Sequence, residues 1–140
     1  MHKGTEHFVV NFIALILLAI GLDRLMPGHL VKIISLSSIG LGIILLLLPK
    51  VTYYCGLSGL LNTLLVVILM RLWRTSSSKI FINLLVLGYT SKLLYEMLGG
   101  HSVIGGLHWE TLPEAHVTGA VLGLIYSLVN QWKATQEYSC

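Results

Sequence analysis

Residues 56–70 read GLSGLLNTLLVVILM. After Asn62 and Thr63 the run is entirely apolar, and with its flanks it extends over 56–72, close to the ~20 residues a helix needs to cross a hydrocarbon layer. A serine between two glycines at the edge of such a segment needs a reason. It is either a close-packing device or a nucleophile. Working outward, four more apolar segments of similar length appear at 7–26, 30–49, 79–98 and 114–132. Pro27 and Gly28 separate the first two, Pro49 closes the second, and RTSSSK (74–79) divides the third from the fourth. Gly99, Gly100, Gly105, Gly106 and Pro113 mark an irregular stretch before the last. The first segment, HFVVNFIALILLAIGLDRLM (7–26), is too long for a cleavable signal peptide and no small-residue cleavage site follows it.

Composition agrees with this reading. The 140 residues are 55% hydrophobic and 11% charged, against about 25% charged in a soluble domain. One small soluble domain cannot bury that much apolar surface, so the expected class is an all-α, polytopic helical membrane bundle forming a single domain over residues 1–140. A net charge of +3 without basic runs does not argue for a nucleic-acid partner, and none is expected. Cys55 and Cys140 lie far apart with no metal-ligand spacing and read as free thiols. His101 and His108 lack a third ligand at a sensible spacing, so neither metal nor cofactor is expected.

Short connections carry a charge bias. Arg24, Arg71, Arg74, Lys79 and Lys133 fall on one side; Lys3, Lys50, Lys92, Glu6, Glu96, Glu110 and Glu114 fall on the other. The positive-inside rule makes the first side cytoplasmic. Spans one, three and five then all start at the outer face, which puts His7 and Asn11, Ser58, and His116 at one depth. An N-terminus outside, with no preceding export signal, suggests a missing earlier span, lost by truncation or an alternative start.

Polar residues within membrane helices are expensive and mark function by default. His7 and Asn11 are four apart and share a helix face. Asn62 lies one turn below Ser58. In EAHVTGAVLGLIYSLV (114–129), Gly119 and Gly123 form a GxxxG pair, a close-packing signal, with His116 one turn above. Taken singly, each cluster reads as helix packing: an interfacial His, a small-residue contact, a histidine bonded to a backbone carbonyl. Together they suit one chemistry. Ser58 would be a nucleophile and His116 its base. Asn11, His7 and the Ser58 N–H would stabilise an oxyanion. Gly56, Gly59, Gly119 and Gly123 would let the helices approach. Glu114 is two residues from His116 and points elsewhere, so a dyad is the economical expectation. Lys92 and Glu96 read first as an i,i+4 pair near the headgroups with a snorkelling lysine, and Trp109 as an interfacial anchor.

GLSG (56–59), His7-x-x-x-Asn11 and His116-x-x-Gly119-x-x-x-Gly123 resemble the signature of rhomboid intramembrane serine proteases. The likeness covers nearly the whole chain, as helices two to six of a six-helix core whose first helix is missing here. His2 sits where rhomboids often carry an additional histidine. SKLLYEMLGG (91–100), LPEAHVTGAVLGL (112–124) and the polar Asn62 look like the rhombosortase branch, and that likeness touches Glu96. The resemblance implies a bacterial inner-membrane endopeptidase with its site near the periplasmic face. Its substrate would be a transmembrane protein segment, in that branch a C-terminal Gly-Gly sorting tail of an exported protein. Departures are Asn62, where many rhomboids place a tyrosine beneath the histidine, and the absence of most of the long first loop with its Trp-Arg pair. A catalytically silent binder or chaperone of transmembrane helices is the alternative, and a small transporter a third class.

Overall fold

The computed structural model describes residues 2–47, 57–99 and 112–137, with side chains over 8–47, 57–99 and 112–132. The described residues form five helices: α1 (His2–Leu25), α2 (Leu30–Leu46), α3 (Ser58–Thr75), α4 (Lys79–Gly99) and α5 (Pro113–Glu137). No strand occurs among the described residues. All five expected spans are helices. α2 ends three residues short of 49, and α5 runs past 132 into a polar tail.

Local chemistry sets the boundaries. Between α1 and α2 the His29 N–H donates to the Met26 carbonyl at 3.2 Å. Pro27 and Gly28 occupy the two central positions, and Gly28 has φ +76°. That is a type II turn, in which proline supplies the fixed first φ and glycine tolerates the positive second one. Between α3 and α4 the Ser76 backbone is extended, and the Ser78 N–H is held by Ser76 Oγ at 3.2 Å. Serine supplies this local bond in place of a helical carbonyl.

Both turns make their neighbouring helices antiparallel. Side-chain contacts orient the remainder. Gly40 of α2 faces Leu122 of α5, while His29 at the start of α2 reaches Tyr126 a turn further along α5. α2 and α5 are therefore antiparallel. Gly59 meets Gly119 and Thr63 meets Gly123, so α3 and α5 run parallel. It follows that α1, α3 and α5 all start at the same end of the bundle, where α4 finishes.

α3 is the central element, packed against all four others and most extensively against α5. Leu22, Ile33, Leu64 and Val67 form a buried apolar cluster, ringed by Leu15, Leu18, Met26, Leu30, Ile34, Ile68 and Tyr126. The exterior is apolar as well: Leu17, Ile39, Leu46, Ile80, Leu84, Leu98 and Leu128 are exposed, Leu98 at 88%. Ser37, Asn62, Thr63, Glu96, His116 and Ser127 are buried instead. Polar inside and apolar outside is the arrangement a bilayer selects, because lipid leaves polar groups no partner but one another. Phe8–Leu25 and Ser58–Thr75 carry continuous 18-residue windows apolar enough to cross a membrane, and Leu30–Leu46 is a shorter apolar helix. α4 and α5 are long enough but carry more polar residues along their length.

Candidate active site at the shared end of α3, α4 and α5

The closest approach in the bundle is backbone to backbone. A Cβ built on Gly119 would overlap the Gly59 carbonyl oxygen and lie 2.8 Å from its carbon. One built on Gly123 would lie 2.6 Å from the Thr63 oxygen and 3.0 Å from Val66 Cβ. Real side chains do not tolerate such distances, so glycine is required at both positions. Thr63 uses the proximity: its Oγ1 donates to the Gly119 carbonyl at 2.8 Å and stands 3.3 Å from the Gly59 carbonyl. Ser127 continues the small-residue face and bonds to Gly123 O at 2.8 Å. Thr63→Val keeps the shape and deletes this buried donor. It is expected to destabilise the fold by about 0.6 kcal/mol, the average for interhelical bonds in membranes, and by no more than about 1.7 kcal/mol. Thermal melts in detergent would read this out, and an unchanged midpoint would remove Thr63 as a clamp.

Ser58 immediately precedes Gly59, and His116 lies one turn before Gly119. Because α3 and α5 are parallel, the glycine contact carries both residues to the same end of the same interface. Ser58 is the first residue of α3, half-buried, behind an N-cap (Leu57) that has no side-chain bond to offer. Among the described residues, Leu61 N–H donates to Leu57 C=O at 2.9 Å. Ser58, Gly59 and Leu60 occupy the first turn of α3, at the positive end of the helix dipole.

His116 is 6% exposed, and its Nδ1 stands 2.9 Å from Glu96 Oε2 on α4. Glu96 is 2% exposed, and Lys92 Nζ lies 2.9 Å from its carboxylate. A lone buried carboxylate would carry a desolvation penalty of several kcal/mol. Here an ammonium and an imidazole both face it. A further chain supports the start of α3: Tyr89 OH donates to Asn62 Oδ1 at 2.8 Å, and Asn62 Nδ2 donates to the Ser58 carbonyl at 2.7 Å.

Among the expected site residues, Ser58, His116, Gly59, Gly119, Gly123 and Asn62 are gathered around this one junction. Asn11 is half-buried on α1, whose start lies at the same end. His2 and His7 fall in the first turns of α1, with side chains outside the described residues; Gly56, His101, His108 and Trp109 also lie outside them. The Lys92–Glu96 i,i+4 pair is present as expected, and the buried Glu96 reaches His116 as well. The expectation of a backbone carbonyl partner for His116 is replaced by this carboxylate. The branch likeness marks Glu96 as a structural candidate in the sequence, but neither its link to His116 nor the part of Tyr89 is legible there, because Lys92 already supplies the acid with a local partner.

At the opposite end, His29 Nδ1 meets Tyr126 OH at 2.8 Å, Trp73 Nε1 donates to Asn83 at 3.1 Å, and Arg74 bonds Gln131. The apolar cluster of Leu22, Ile33, Leu64 and Val67 packs against Tyr126 of that end and separates it from the junction at Gly59 and Gly119.

The family model described as Rhomboid domain matches residues 1–132. No curated protein and no solved structure matches the chain.

Proposed function

The chain belongs to the rhomboid family of intramembrane proteases, and from that premise we propose that it is a serine endopeptidase in which Ser58 is the nucleophile and His116 the general base. The observation that carries the reading is the Gly59–Gly119 contact between parallel helices, which sets the serine and the histidine at one end of one interface.

In the proposed reaction His116 Nε2 takes the Ser58 Oγ proton as Oγ bonds to the scissile carbonyl carbon. The carbonyl π electrons move to oxygen. The oxyanion is met by the Ser58 N–H at the start of α3, with Asn11 and His7 as further donors. Collapse breaks the C–N bond, and the leaving amine takes the proton from Nε2. Water then releases the acyl group by the same two proton transfers. A helical substrate shields its carbonyls by internal hydrogen bonds, so local unwinding must precede attack, and glycine near the cut eases it. The similarity of 91–100 and 112–124 to the rhombosortase branch supports a C-terminal Gly-Gly sorting tail of an exported protein as substrate, with the site near the periplasmic face of a bacterial inner membrane. A continuous polar path, which a transporter would need, is opposed by the apolar cluster between the two polar ends.

The direct test is covalent labelling. A fluorophosphonate or isocoumarin probe is expected to modify Ser58 in the folded protein, with labelling dependent on His116. A folded preparation that takes no probe on Ser58 would instead support a silent binder of transmembrane helices.

A further inference from the structure

We propose that Glu96 is a positioning residue of this site: its carboxylate holds the Nδ1–H of His116, so that the lone pair of the neutral ring resides on Nε2 and is available to Ser58. The proposal rests on the serine-protease reading and adds a third member to what the sequence suggests is a dyad. Three observations carry it. His116 Nδ1 lies 2.9 Å from Glu96 Oε2, and both residues are buried. A carboxylate can only accept, so the nitrogen facing it must bear the hydrogen, and in a neutral imidazole the other nitrogen is then the acceptor. Lys92 Nζ, 2.9 Å from the same carboxylate, favours the ionised form that this role requires. The imidazolium formed when His116 takes the serine proton gains charge beside a carboxylate already in place, without reorganisation.

A plainer role competes. Ile82 and Glu96 are the buried residues of α4, and Glu96 could serve only to tie that helix to α5. Glu96→Gln separates the two. Glutamine keeps length, volume and a hydrogen-bonding end, so a tie survives. It removes the charge, and its amide can donate to Nδ1 and stabilise the wrong tautomer. The expected result is a fall in kcat of about 10³-fold or more, with KM changed only a few-fold and the melting midpoint close to wild type. A kcat within a few-fold of wild type would overturn the proposal while leaving the protease reading intact.

A second measurement needs no variant to fold. ¹⁵N spectra of the His116 imidazole in the full chain, assigned by comparison with His116→Gln, should show Nδ1 protonated and Nε2 bare in the neutral ring. The Nε2–H tautomer would overturn the proposal. Should the wild-type chain cleave nothing and Ser58 resist labelling, it is the protease reading that fails, and the tautomer still decides whether Glu96 orients His116.

Discussion

Ser58→Ala is expected to lower cleavage of a membrane-tethered reporter by about 10⁵-fold or more, and His116→Ala to do nearly the same. The two residues act on one proton, so either deletion removes the whole step. The double variant should therefore be hardly worse than each single one. That non-additivity distinguishes a shared catalytic step from two independent packing defects, whose effects on stability would sum. Ser58→Ala should leave the fold little disturbed, whereas His116→Ala empties a buried site and takes a partner from Glu96, so its melting midpoint is expected to fall and activity is compared on the folded fraction. Ser58 has no structural bond among those described beyond its own backbone, and its carbonyl goes on accepting from Asn62 whatever its side chain. Purified protein in detergent or proteoliposomes, assayed with the four combinations, gives the answer. Full activity in either single variant would remove the mechanism.

Gly119→Ala is expected to cause the largest loss of stability from a single methyl. The new carbon would occupy the space of the Gly59 carbonyl oxygen and sit 3.2 Å from Gly59 Cα. Backbone cannot rotate aside as a side chain can, so α3 and α5 must separate. Overpacking of this kind costs about 3 kcal/mol, the upper end of the usual range. Separation would also stretch the Thr63–Gly119 bond and carry His116 away from Ser58, so probe labelling should fall with the melting midpoint. Gly42→Ala and Gly88→Ala are the controls. Nothing lies within 4 Å of a Cβ at either position. Alanine in a helix interior should be neutral there or stabilise by about 0.5–1 kcal/mol. If Gly119→Ala melts with these controls, the backbone contact between α3 and α5 is not what holds the site together.

Much of the fold was readable because a bilayer permits so few solutions. A segment near the length of 7–26 or 79–98 with few charges must be helical, since every backbone group needs an internal partner. Pro27-Gly28 could be read as a turn because each residue suits one position of it. Boundaries were less legible where the reason for stopping is not composition: α5 continues to Glu137 through polar residues that are helical without being apolar. Among the candidate site residues, Ser58, His116 and the glycines stand out in the sequence because small and polar residues recur there at helical spacing. The link of Glu96 to His116 does not. The nearest sequence partner of Glu96, Lys92, satisfies it locally, while the histidine it holds lies twenty residues on, across a glycine-rich stretch with no periodicity to follow.

By itself, then, the sequence determined the membrane class and the helices, because each follows from composition within one segment, while a candidate serine and histidine at matching ends was an expectation drawn from the charge bias of the connections. Only the tertiary structure decided which nitrogen of His116 is engaged and by what. That depends on how α4 is docked beside α5, a relation between separate helices that no spacing along the chain encodes.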